Sequence, residues 1–206
     1  MNTCVGPPRT TPWLRRAVRR DEGAALVEFA LVAPVFLLVI FGILEFGLAF
    51  KDYLTVTNTS RSSARVASAG GADVDADYAI IQSLSRESSA MSVGDIQRMV
   101  VYRASGPGDP VPASCAAGNS AAGVCNVYTV SDFQRPPAAW GCLSPTSLDG
   151  WWCPTSRKVA ITAANGGPPD YVGVWVKARH NFITGLFGAN LTFTDQTVMR
   201  IEPRRR

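Results

Sequence analysis

The sequence predicts an α+β chain. A long N-terminal α-helix crosses a membrane, continues beyond it, and packs against a small antiparallel β-sheet with disulfide-stapled loops. Three observations predict this. Phe29 to Leu44 is a run of sixteen residues without a charge. Residues 54–69 contain no Pro or Gly, so a helix entering them is not broken. Residues 171–182 alternate between two sets of side chains, as a half-buried strand does. The composition agrees. The 206 residues are 47% hydrophobic and only 17% charged, against about 25% charged in a typical soluble domain, which excludes a disordered chain. The formal net charge of +4 resides at the two ends, whereas residues 51–203 carry twelve basic and twelve acidic side chains. No basic face for nucleic acid is implied.

The apolar run continues past Glu45 through Phe46, Leu48, Ala49 and Phe50. As a helix, residues 29–50 span roughly 33 Å, about one hydrocarbon thickness. Pro34 lies inside the run, is tolerated in membrane helices, and is expected to bend this one. Arg15, Arg16, Arg19 and Arg20 crowd the N-terminal flank, while Lys51 stands at the other end with Asp52 beside it. The positive-inside rule places the N-terminus in the cytoplasm and residues 51–206 outside. A cleaved signal peptide fits less well: its apolar core is about 7–15 residues, and the A-x-A match at Ala67-Ser68-Ala69 lies far beyond this run. The expected organisation is a cytoplasmic leader over 1–23, a transmembrane helix over 24–50 and an extracytoplasmic α+β domain over 51–206. Glu45 is expected at the outer headgroup level, with pairing inside a helix bundle as the alternative.

Glu28 stands at the head of the helix. Taken alone it has two readings: a carboxylate favoured by the helix macrodipole by about 0.3–1 kcal/mol, or a buried charge that requires a positive partner. The surrounding residues are Gly23-Ala24-Ala25-Leu26-Val27-Glu28-Phe29. Gly, four residues, then Glu-Phe before an apolar helix resembles the type IV prepilin cleavage motif. The wider stretch is similar to the TadE-like segment of minor pseudopilins from tight-adherence (Flp-type) pilus systems. It matches in A-L-V-E-F-A over 25–30, in Pro34, in Glu45-Phe46-Gly47 and in Arg61-Ser62-Ser63-Ala64-Arg65-Val66-Ala67. Thr197 to Glu202 resembles the closing strand of such proteins.

The resemblance implies a membrane-anchored structural or assembly component of a Flp-type pilus or related secretion machinery. It implies cutting after Gly23 by a prepilin peptidase, which makes Ala24 the new N-terminus. Glu28 and Phe29 are then implied in subunit assembly, with Glu28 pairing to the new α-amine of a neighbouring subunit and setting the axial register. The implied partners are the prepilin peptidase, the pilin and other pseudopilin subunits, and the inner-membrane assembly platform. The alternative is an uncleaved, single-pass anchor carrying an extracytoplasmic binding module.

Beyond the membrane the helix is expected to run to Ala69, where Gly70-Gly71 stops it. Asp73, Asp75 and Asp77 have the D-x-D-x-D spacing that opens a calcium loop. Tyr78 replaces the required Gly and Leu84 the required Glu, so the expectation is that they cap and charge a second helix. Ile80, Ile81, Leu84 and Met91 form the apolar side of that helix. Expected strands cover Ile96–Arg103, Val124–Val130, Lys158–Ala163, Tyr171–Phe182 and a last one through Leu191, Phe193 and Asp195.

Cys115, Cys125, Cys142 and Cys153 lie in loops rich in Gly, Pro and Ser. An even number of cysteines outside the cytoplasm predicts disulfides. Three connectivities are open, and the short loops 115–125 and 142–153 cost least to close. A zinc site is the alternative, with neither spacing of the tight C-x-x-C type. Cys4, in the leader, is expected to have no partner. Trp140, Trp151 and Trp152 are expected to fill a small loop core beside the second cysteine pair, with binding of a partner or surface as the alternative. His180 is the only histidine, and the sequence contains no nucleophile elbow and no phosphate-binding loop. No enzyme, no cofactor and no small-molecule substrate are expected.

Overall fold

The computed structural model describes residues 21–91, 93–144 and 146–203. Cys4, the leader arginines and Arg204 to Arg206 lie outside the described residues. Helix α1 covers Asp21–Gly70. Gly71 follows it at φ +54° and donates its N–H to Ala67 O at 3.1 Å, which ends the helix in the left-handed geometry that glycine adopts without strain. Helix α2 covers Ala76–Glu87 and α3 covers Ala113–Ala117. Strands β1 (Ile96–Ala104), β2 (Cys125–Thr129), β3 (Tyr171–Asn181) and β4 (Asn190–Arg200) form one antiparallel sheet in the order β2-β1-β3-β4. The class is α+β.

The chain divides into two compact units, at Leu44/Glu45. Described residues of the first are helical throughout, and their large side chains face outward: Leu26, Phe29, Leu31 and Ile43 are 69–72% exposed. In the second unit, one side of α1 is a stripe at helical spacing, with Glu45, Ala49, Val56, Ser60, Ala64, Ala67 and Ser68 all buried. Most are small, and several hydroxyls are used. Ser60 hydrogen-bonds Asp195 and Thr197 of β4, and Ser68 donates to Arg200 O at 2.6 Å. Ser60 and Ser68 thus gain tertiary contacts, whereas the hydroxyls of Thr57, Thr59 and Ser63 are buried without a partner.

One face of the sheet supplies Met99, Val101, Val172, Val174 and Val176 to the core shared with α1 and α2. The opposite face packs Val100, Tyr102 and Trp175 with Cys115 and Cys125, which lie in α3 and at the start of β2 rather than in loops as expected. Gly173 is required where β3 passes Tyr102, because a Cβ there would lie 2.2 Å from the phenol ring. Disulfides join Cys115 to Cys125 and Cys142 to Cys153.

Three expectations change. Lys158–Ala163 is not a strand. Lys158 and Asp170 bind each other instead, through Lys158 N to Asp170 Oδ2 and Asp170 N to Lys158 O, which closes the segment into a loop. The two C-terminal strand signals belong to one strand, β4, eleven residues long. Asp77 stands in the first turn of α2 as expected but is fully buried there, and Asp75, at the N-cap, makes no side-chain capping bond.

Candidate functional site

The N-terminal turns of α1 hold the expected processing and assembly residues together. Gly23, Ala24, Glu28 and Phe29 are all exposed. Glu28 makes no hydrogen bond or ion pair among the described residues. Pro34 lies within α1 and is exposed. This segment is therefore a helical surface of large apolar side chains carrying one unpartnered carboxylate.

Glu45 differs. It is 2% exposed, and its carboxylate is bound by donors of its own chain. Ile183 N donates to Oε2 at 3.0 Å, Thr184 N donates to Oε1, and the Thr184 hydroxyl donates to Oε1 at 2.8 Å. Thr184 Oγ1 in turn accepts from Leu186 N at 3.3 Å. The carboxylate thereby fixes the turn between β3 and β4, with Gly185 and Gly188 in left-handed conformations around it. Two turns along, Asp52 hydrogen-bonds His180 Nδ1 at 2.7 Å, which gives this histidine a structural partner. His180 Nε2 is buried without one.

A second polar centre lies under the Cys142–Cys153 loop. Asp77 accepts from Arg157 at 2.6 Å, from the Tyr128 hydroxyl at 2.6 Å and from Asn126 at 2.8 Å. Burial, with the Asp77 charge beside it, pushes the Tyr128 phenol well above its usual range. Asn126 also bonds Trp152 N and O, and the Arg157 guanidinium lies 4.4 Å from the Trp152 ring centre. Trp140 and Trp152 fill this core as expected, whereas Trp151 is 54% exposed. Asp149 accepts from Gly141 N and Cys142 N, and burial raises its carboxyl above the ordinary value. These contacts tie loop, strand and helix together. Among the described residues no group of His, Cys, Asp and Glu is arranged to hold a metal ion.

The helix segment carrying Gly23, Glu28, Pro34 and Glu45 also decides the comparison with known proteins. Residues 23–65 match the family model described as TadE-like protein. No curated protein and no solved structure matches the chain. The TadE-like match supports a component associated with a Tad pilus system. α1 is also long and apolar enough to cross a membrane, which suggests a membrane anchor. The TadE-like match includes Glu45 but ends well before Ile183 and Thr184, its donors. Sequence reasoning missed those two residues. The available signal was an uncharged stretch, Asn181 to Thr194, with Thr184-Gly185 flanked by Ile183 and Leu186.

Proposed function

We propose that the chain is a minor pseudopilin of a Flp-type pilus or related secretion machine. A prepilin peptidase cuts it after Gly23. Residues 24–50 hold it in the membrane as a single pass, with the leader in the cytoplasm and residues 51–206 outside. The observation that carries this reading is the TadE-like match itself. It begins at Gly23, the residue at which the cut would fall, and includes Glu28, which has no partner among the described residues. A carboxylate so placed in an apolar helix is costly on its own. Cutting after Gly23 creates an α-amine on Ala24, and pairing Glu28 with the amine of an adjacent subunit offsets both charges and fixes the register between helices. Pilin, other pseudopilins and the inner-membrane assembly platform are the partners this implies.

N-terminal sequencing of the protein purified from its own membranes tests the proposal. The expected start is Ala24. A start near Met1 overturns processing and leaves an uncleaved anchor with an extracytoplasmic binding module. A start at Gly70 means that the apolar run is a removed signal peptide.

A further inference from the structure

Glu45 immediately follows the charge-free run from Phe29 to Leu44 and lies near the outer end of the proposed membrane helix over 24–50. The turn between β3 and β4 is bonded to this same carboxylate through Ile183 N, Thr184 N and the Thr184 hydroxyl. With α1 read as a membrane anchor, these bonds hold the turn beside the outer end of the apolar run. A polar loop would be expected on a soluble surface. Here the exposed side chains are Ile183 at 76%, Leu186 at 58% and Phe187 at 38%, and no charge occurs from Asn181 to Thr194. On α1 at the same level Phe46 and Phe50 are also exposed, and Phe187 lies 5.1 Å from Phe46, ring centre to ring centre. The apolar surface of the turn is therefore continuous with that of the helix around Glu45.

We infer that the β3–β4 turn is a second membrane contact, with Ile183, Leu186 and Phe187 lodged in the headgroup–acyl boundary beside α1. This rests on the reading of α1 as a membrane anchor. The chemistry is that of an interfacial anchor: apolar and aromatic side chains enter the boundary region, while the polar backbone of the turn is satisfied internally by Glu45 and Thr184. The Glu45 bonds do two things at once. They remove unpaired backbone N–H groups from a low-dielectric region, and they aim the turn along the helix. The consequence is orientational. A single helix leaves the attached domain free to tilt and spin, whereas a second contact on one side fixes which face of the sheet looks along the membrane.

The test uses the full chain with Cys4→Ser, reconstituted in phosphatidylcholine–phosphatidylglycerol vesicles. An environment-sensitive fluorophore is attached at Ile183→Cys or, in a second variant, at Leu186→Cys. Leu37→Cys in the apolar run and Ser105→Cys, just beyond the opposite end of the sheet, are the references. Lipids bearing a nitroxide on the upper acyl chain are expected to quench both turn positions, as soluble iodide does at Ser105. Quenching at Leu37 with only iodide quenching at 183 and 186 overturns the inference and leaves the anchor intact. Protection of 183 and 186 from both quenchers also overturns it, because a protein surface, such as a second copy, then covers the turn. Absence of lipid quenching at Leu37 as well removes the anchor reading and this inference with it.

Discussion

The two parts of α1 on either side of Leu44 obey different rules, although they are one unbroken helix. Before it, large side chains point outward all around, and the only charge between Gly23 and Leu44, Glu28, has no partner among the described residues. After it, a stripe of Ala, Ser and Val faces inward, and its carboxylate, Glu45, is held by three donors from the same chain. A helix that is apolar all round has no soluble core to face, and lipid is its natural surroundings. A helix with a narrow stripe of small residues is shaped for close approach by a sheet. The pair of glutamates condenses the difference. One is satisfied by its own fold, so its role is internal, and the other is left for solvent, headgroup or another chain.

The comparison breaks most severely if the compact unit is unfolded while the apolar run is left alone. Asp77→Ala removes the partner of Arg157, whose side chain is fully buried. An unpaired buried guanidinium costs about 3–5 kcal/mol. Denaturant unfolding of the full chain in detergent should show a midpoint lowered accordingly. Alkaline extraction of membranes should still leave the variant in the pellet. Release into the supernatant would mean that the apolar run does not hold the chain by itself.

The next effect separates the two carboxylates directly. Glu45→Ala leaves the Ile183 and Thr184 N–H groups without their acceptor, at a cost of about 1–3 kcal/mol for such a group. Amide exchange at 183 and 184 should accelerate and the unfolding midpoint should fall. Glu28→Ala should leave both unchanged, because nothing in the compact unit binds it, and its defect should appear only in assembly into pili in cells. A folding defect in Glu28→Ala, or normal amide protection in Glu45→Ala, would erase the distinction.

How much of this was legible in the sequence follows from distance along the chain. The helix, β1 and β3 are written in local periodicity, which is why Val172, Val174 and Val176 identify their face without a structure. The short cysteine loops are local too. Glu45 and Thr184 are separated by 139 positions, and Asp77 and Arg157 by 80, so no pattern of neighbours reveals their pairing. The expectation for Lys158–Ala163 failed for the same reason. Its alternation suits a strand, but the backbone of Lys158 is taken by Asp170, twelve positions away, in a loop. The stripe after Leu44 was visible in principle. Glu45, Ala49 and Val56 recur at helical spacing among larger apolar residues, a second period hidden inside a run that hydropathy alone treats as uniform.

The smallest effect concerns pH, and it sharpens the comparison because all five tyrosines lie beyond Leu44. A tyrosinate absorbance titration therefore reads the compact unit only. Burial, with Asp109 adding negative charge, raises Tyr102 from 10 to about 12, while its hydroxyl donates to Asp109 O at 2.8 Å. A phenol whose pKa is higher in the folded state than in the unfolded one favours folding fully below pH 10. That contribution is lost as the pH rises from 10 towards 12, since the unfolded chain ionises first. Tyr102→Phe should remove one late component of the titration and flatten the alkaline fall in stability over that window. The stability at pH 7 should drop only by the loss of one hydrogen bond, about 0.5–1.5 kcal/mol. An unchanged alkaline limb would show that Tyr102 is reached by water in solution, and that this face of the sheet is less closed than its packing against the Cys115–Cys125 loop implies.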